Sequence, residues 1–180
     1  MTDEELMQRY RDGDVQAFDD LYARYRGPVY RYIARLLGTG HDIDAVVQDC
    51  WFRVIHHRDS WSAAKPLRAW LFRIAHNLAV DVLRSSTRSP VDAVDNVSEL
   101  PDNRRSIDHW QFIRDCVERL LKLLSELPAA QRNAFLLKEE AGLSLQQIAE
   151  LSDVGRETVK SRLRYAIGSL RRGLEGCEHA

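Results

Sequence analysis

No apolar run in this 180-residue chain approaches the ~20 residues that a membrane-spanning helix needs, so no helical span is expected. Cysteine is scarce: Cys50, Cys116 and Cys177 stand far apart and make neither a disulfide framework nor a metal set. A reducing cytosol is the natural setting for such a chain. The first residues are acidic and polar, without the basic and then apolar order of a signal peptide. Strand-like alternation, internal repeats and low-complexity tracts are also missing. There is no excess of charge of one sign either, since 26 basic against 27 acidic residues leave a formal net charge of −1.

That balance speaks against nucleic acid only while the chain is averaged. Counted by segment, the charge is −3 over residues 1–57, +4 over 58–88, −3 over 89–127, −1 over 128–152 and +2 over 153–180. Two basic patches are thus separated by acidic material, as suits a protein that meets DNA in two places. With 44% hydrophobic and 29% charged residues, the remainder reads as a mostly helical globular protein.

Helical periodicity covers most of the chain. Thr2 with Glu5 forms a capping-box pattern that opens a helix through about Arg11. Asp14 starts a second, with Phe18, Leu21, Tyr22 and Tyr25 on one side, which Gly27-Pro28 should end. Pro28 begins a third with Val29, Tyr30, Ile33, Leu36 and Leu37, closed by Gly38 and Gly40. Asp42 caps a fourth to about His57. A polar loop, 58–65, precedes a long helix from Pro66 to about Ser86. Residues 87 to about 106 lack periodicity, contain two prolines and read as a flexible linker. Beyond it, Ile107 to Leu127 carries Trp110, Ile113, Val117, Leu120, Leu121 and Leu124 at helical spacing, and Pro128 starts another helix through Glu140. The expectation is all-α: two small helical domains, the first of four to five helices over 1–88, a linker over 89–106, and a second domain over 107–180.

The stretch Leu143 to Leu174 parses as helix, tight turn, helix. Ser144 and Gln147 form a second capping box, and Leu145, Ile148, Ala149 and Leu151 supply an apolar face. Asp153 tolerates left-handed backbone, and Gly155 can cap the next helix. In that helix Val159, Leu163, Ile167 and Leu170 should face the core. Arg156, Lys160 and Arg164 recur at i, i+4, i+8 on another face, with Ser161 and Tyr165 beside them. A short helix bracing a basic one is the geometry that places the second in a major groove. Further along, Arg171 and Arg172 suit phosphate contacts. The plainer alternative is a basic solvated helix in an ordinary bundle.

The other basic patch lies on the loop and helix from Arg58 to Arg88. Leu67, Leu71, Ile74, Leu78 and Val82 make its buried stripe. Arg73, His76, Asn77, Val80, Arg84 and Arg88 gather on the far side. Trp61 stands in the loop among Ser60, Ser62 and Lys65. Cations with an exposed aromatic suit a single strand, whose bases stack for ~1–3 kcal/mol each, and small polar loop residues could hold a flipped base. Equally, Trp61 could plug the core and Asn77 could be a solvated amide.

Taken together, FDDLYARYRGPVYRYIARLLG, DIDAVVQDCWFRVIHHRDSW, LRAWLFRIAHNLAVDVLR, LSELPAAQRNAFLLKEEAGLSLQQIAEL and ETVKSRLRYA resemble a bacterial extracytoplasmic-function sigma factor of the sigma-70 family, in the family's order over nearly the whole chain. The resemblance implies a sigma-2-like domain followed by a sigma-4-like helix-turn-helix domain, and promoter-specific initiation without enzymatic activity, cofactor or metal. The implied partners are core RNA polymerase, through its β′ coiled coil and β flap, and promoter DNA, with an anti-sigma factor left open. Asp42, Asp44, Val47, Gln48, Asp49 and Arg53 match the helix that docks on the β′ coiled coil. Asp59, Ser60 and Trp61 match the loop, and Arg73 and Asn77 the helix, that recognise the melted −10 element. Thr158, Lys160, Ser161, Arg164 and Tyr165 match the helix that reads the −35 element. Departures are Ala45 where the family usually has an acidic residue, Asp153 for a turn glycine, Gly155 for a serine cap, and the pair Arg156-Glu157.

Two rivals remain. An operator-binding repressor would own the helix-turn-helix but not the patch at 58–88. An enzyme would need a reactive cluster, and Cys50 with His56 and His57 is the one worth asking about. The i, i+7 spacing of Cys50 and His57 is too long for two ligands on adjacent turns.

Overall fold

The computed structural model describes residues 1–86 and 107–177, and its regular elements there are all helical. They are α1 (Asp3–Arg11), α2 (Val15–Leu37), α3 (Ile43–His56), a 3-10 turn (Arg58–Ser60), α4 (Leu67–Ser86), α5 (Ile107–Glu126), α6 (Ala129–Glu139), α7 (Leu145–Ser152) and α8 (Arg156–Gly173). The linker expected over 89–106, and Arg88, lie outside the described residues.

Local signals set most helix starts. Both capping boxes form reciprocally: Thr2 Oγ1 accepts from the Glu5 amide while Glu5 accepts from the Thr2 amide, and Ser144 and Gln147 do the same. Asp14 accepts from the Gln16 amide, and Asp42 from the Ala45 amide. Each cap satisfies a first-turn donor that a helix cannot pair internally.

The second helix departs from expectation. Residues 15–37 form a single helix with Pro28 inside it, not two helices broken at Gly27-Pro28. Proline removes one backbone hydrogen bond and disfavours the preceding turn, at about 3 kcal/mol. Against that, Leu21, Tyr25, Val29, Tyr32, Ile33 and Leu36 form one continuous buried face, and burying each is worth ~1.5–3 kcal/mol. The shared face wins.

Helices α1 to α4 close around Leu6, Met7, Leu21, Val54, Phe72 and Trp61. The C-terminal half packs α6, α7 and α8 through Leu136, Leu137, Leu143, Ile148 and Val159. On α8 the buried set is Val159, Leu163, Ala166 and Leu170, while Ile167 is 42% exposed. At about 100° per residue Ala166 points into the core and Ile167 turns toward the basic line, which corrects the expected stripe. A separate small cluster of Leu124, Leu127, Ala166 and Leu170 holds α5 to α8. Elsewhere α5 touches α2, while Trp110, Phe112, Val117 and Leu121 are exposed along it.

The halves are packed together. Val29, Tyr32 and Ile33 of α2 share one core with Ala134, Leu137 and Ala141. Glu140, at the end of α6, accepts from Arg31 Nε at 2.8 Å and also from Arg35. The buried Tyr32 hydroxyl donates to Asn133 Oδ1 at 2.9 Å and lies 2.9 Å from His76 Nδ1. Gly142 has φ +62, and a Cβ there would come within 2.6 Å of the Arg68 guanidinium. Finally, Cys116 and Cys177 form a disulfide between α5 and the turn after α8, so the expectation of three unpaired cysteines is corrected.

Candidate nucleic-acid interface

The C-terminal surface is built by α7 presenting α8. Asp153 closes α7 in the left-handed region (φ 51, ψ 50) and its amide donates to Ala149 O. Gly155 is the N-cap of α8 and brings no side-chain acceptor, so the first amides of α8 stay open to an anion. Arg156, Thr158, Lys160, Arg164, Tyr165, Arg171 and Arg172 are exposed, and Ser161 is half-buried. Their order follows helix geometry: Arg156, Lys160, Arg164 and Arg171 run along one line, while Ser161, Arg172, Tyr165 and Thr158 lie a quarter turn or more round the helix from it. The Arg164 guanidinium lies 5.2 Å from the Tyr165 ring centroid, a cation–π contact that directs the arginine outward. Lys160 is 3.7 Å from Glu157, an exposed pair worth little in water and easily exchanged for a phosphate or base. Arg172 Nη2 donates to Ser169 Oγ at 3.3 Å.

On the N-terminal half, α4 presents Arg73 and Asn77 one turn apart and exposed, with Arg84 exposed further along. Lys65, Ser60 and Asp59 are exposed in the preceding loop. Ser60 Oγ donates to His57 O at 2.7 Å, and Asp59 lies 4.0 Å from Arg11 Nε.

Two residues expected here are elsewhere. Trp61 is only 2% exposed, and its Nε1 donates to Lys65 O at 3.2 Å. It plugs the core and fastens the loop that carries Ser60 and Lys65, so it is no stacking platform in this conformation. His76 is half-buried and faces Tyr32 of α2 and Asn133 of α6. With the hydroxyl hydrogen of Tyr32 given to Asn133, the His76 Nδ1 hydrogen reaches the tyrosine oxygen. Burial pushes the His76 imidazole below its ordinary range, an effect only partly offset by its hydrogen bond with Asn133.

A third surface lies on α3. Asp44, Gln48, Asp49 and Arg53 are exposed, Val47 is half-buried, and Asp42 is spent as the cap. Phe52 sits in the middle of this face, 61% exposed and stacked on His56 with centroids 5.9 Å apart. Sequence reasoning missed Phe52, although its i+4 and i+3 spacing from Gln48 and Asp49 was readable. The neighbouring Cys50 is buried and its thiol is pushed up to about 12, chiefly by burial. It cannot serve as a nucleophile near neutral pH. Among the described residues no group of three acidic, cysteine or histidine side chains could hold a metal.

Two basic helix faces and a mixed acidic and aromatic third are thus held on one all-helical frame, and comparison with known proteins says what that frame is. The chain matches the family models for Sigma-70 region 2 over residues 21–89 and Sigma-70, region 4, over 117–169. It is 30% identical over 175 residues to the ECF RNA polymerase sigma-E factor of Haemophilus influenzae, covering 91% of this chain and 90% of that one. The chain belongs to the sigma-70 family, among its extracytoplasmic-function members. The sigma-E factor of Escherichia coli is similarly related, 30% identical over 171 residues and covering 91% and 89%. Among solved structures, CnrH in complex with the cytosolic domain of CnrY aligns with TM-score 0.67 at 25% identity over 97% of both chains. The sigma factor RpoE of Bartonella quintana, in complex with the anti-sigma factor NepR, gives 0.70 at 25% identity over 88% of this chain and 96% of that one. As a sigma factor the protein directs promoter-specific initiation by RNA polymerase and is not itself an enzyme.

Proposed function

We propose a division of labour in which residues 1–88 dock on core polymerase and hold the melted −10 strand, and residues 107–180 read the −35 duplex. The observation that carries it is the pair of exposed basic faces on separate helices, Arg73 and Asn77 on α4 and Arg156, Lys160 and Arg164 on α8. On α8 the long cations meet base edges in a major groove, where a bidentate pair discriminates by ~1–3 kcal/mol. Arg171 and Arg172 contact phosphates. On α4 and its loop, Asn77 meets an unpaired base edge, Arg73, Arg84 and Lys65 meet phosphates, and Ser60 and Asp59 line the place where a base leaves the stack. Trp61 acts from behind by fixing the loop.

Docking runs through Asp44, Val47, Gln48, Asp49 and Arg53 on the β′ coiled coil, with Phe52 as the apolar centre and Asp42 setting the helix start. The β flap engages the C-terminal half. The protein works in the cytoplasm beside polymerase. An anti-sigma factor is a fitting regulator, since the structurally similar CnrH and RpoE are each seen with a second protein.

Run-off transcription with purified core polymerase on a promoter library tests the whole reading. Selection of a two-part promoter, with α8 variants altering its upstream half and α4 variants its downstream half, is expected. Variants that alter the opposite half would overturn the assignment.

A further inference from the structure

The C-terminal half contains a chemical feature that promoter recognition does not use. Cys116, in the middle of α5, is bonded to Cys177 just beyond α8, a sequence separation of 61 with Cα atoms 5.9 Å apart. Both residues are half-buried, so small reductants and oxidants can reach them. What surrounds them is thin. Beyond the four buried residues Leu124, Leu127, Ala166 and Leu170, α5 meets α8 through Leu120, Leu123 and a close approach at Gly173. A Cβ at Gly173 would come within 2.5 Å of Leu123. Near the disulfide the additional tie is Arg119 Nη1 to the Glu175 carbonyl at 3.5 Å. A core this small holds a helix weakly without a staple.

We propose that Cys116 and Cys177 are a reversible thiol–disulfide modification site, oxidised by small-molecule disulfides, whose state decides how firmly α5 is attached to the −35-reading half. The step balances as thiol–disulfide exchange. The thiolate of one cysteine attacks a sulfur of glutathione disulfide, forming a mixed disulfide and releasing one glutathione thiolate. The second cysteine thiolate then displaces the other glutathione, closing the internal bond. Two cysteine thiols are oxidised, one glutathione disulfide is reduced to two glutathiones, and the two protons pass to solvent or to the departing thiolates. The third cysteine is an internal control: Cys50 is fully buried and should stay reduced and unmodified.

The consequence is local. Arg156 to Tyr165 lie at the far end of α8 from Cys177, and their support comes from α7 and α6. Reduction should therefore leave −35 duplex affinity within about twofold at 25 °C while loosening α5 and lowering the melting temperature of this half. For a bond closing so long a loop, that drop should be about 10 °C or more.

The test uses the full chain equilibrated in glutathione buffers, trapped with an alkylating agent and weighed intact. With alkylation carried out under denaturing conditions, one labelled thiol (Cys50) is expected in the oxidised form and three after reduction. Hydrogen exchange should show faster exchange over residues 110–120 on reduction, with 156–165 unchanged, and Cys116→Ser should show the reduced behaviour in every buffer. A persistent mixed disulfide with glutathione, or disulfide-linked dimers, would overturn the proposal. So would equal melting temperature and equal α5 exchange in oxidised and reduced protein. Because these readouts do not involve promoter DNA, they stand or fall apart from the assignment of the DNA faces.

Discussion

The cations of α8 divide by what lies opposite them. Lys160 and Arg164 stand in the first half of α8, whereas Arg171 follows nearly two turns later on the same line. Removing a base-reading side chain changes a preference; removing a phosphate contact changes an affinity. Lys160→Ala should relax selectivity at particular −35 positions by ~1–3 kcal/mol. Arg171→Ala should weaken binding to all sequences and make the salt dependence shallower by about one unit of slope. Competition binding against a randomised −35 duplex at several salt concentrations distinguishes them. Unchanged preference in Lys160→Ala would remove it from the reading set.

Asn77 allows a sharper separation. Its side chain is exposed and makes no hydrogen bond among the described residues, so Asn77→Ala should shift thermal stability by less than about 0.5 kcal/mol. If it contacts a base only after the strands part, core binding and closed complexes should survive while permanganate reactivity at −10 thymines falls. A large loss of stability with normal opening would make Asn77 a brace.

For His76 the test is pH. Burial depresses its folded-state value below the ordinary 6.5, so between those two values the unfolded chain binds a proton that the native chain resists. Stability then rises with pH across that interval. Thermal unfolding temperature should fall as pH drops through about 6.5 and below, and His76→Gln should flatten the slope. A wild-type curve already flat over that range would mean His76 is not buried against Tyr32 and Asn133 in solution.

At the scale of elements, the loop between α3 and α4 owes its shape to Trp61. Replacing a buried tryptophan by alanine costs about 3–5 kcal/mol, so Trp61→Ala should lower stability by that order and blunt −10 opening with it. Trp61→Phe, which keeps most of the ring, should restore stability and opening together. Restored stability without restored opening would show that the indole touches DNA after all, in a conformation other than this one.

What could be read from the sequence follows the range of the forces involved. Helix starts at Thr2, Asp42 and Ser144 were legible because a cap and its amide lie three residues apart. Asp153 was legible because a left-handed position favours few residues. Pro28 misled because the local stop signal was outweighed by a buried face visible only in three dimensions. Ala166 and Ile167 were exchanged because one residue of phase decides which points inward. The ties of Glu140 to Arg31 and Arg35 span 109 and 105 residues, and the Cys116–Cys177 bond spans 61. Nothing local announces such pairs. The exposed basic faces of α4 and α8 were largely legible, because exposed cations at helical spacing need no partner within the chain.

Seen whole, the molecule poses a problem of reach. A compact chain of this length has a radius of gyration of about 16 Å and is roughly 40 Å across. The −35 and −10 elements lie some 25 base pairs apart, about 85 Å of duplex at ~3.4 Å per pair. Packed as they are, the two halves cannot occupy both elements at once. On the proposed assignment the packing does not work by covering the two faces, since Arg73, Asn77, Lys160 and Arg164 all remain exposed. It works by holding them too close together. On the proposed reading, opening breaks the contacts of Glu140 with Arg31 and Arg35 and of Tyr32 with Asn133, and polymerase would supply the compensating contacts by gripping each half separately. The Glu140 side chain is only 9% exposed, but its arginine partners are wetter, so losing the carboxylate should cost the closed state about 1–2 kcal/mol. That is a ~5–30-fold shift toward open forms. Glu140→Ala should therefore enlarge the radius of gyration in small-angle scattering and increase initiation where opening limits the rate. Gly-Ser residues inserted near Asn96 should leave the preferred promoter spacing unchanged, because the enzyme and not the linker is the ruler. A spacing optimum that moves with linker length, or a Glu140→Ala chain that scatters as the wild type does, would show that the clasp between the halves is not what must open.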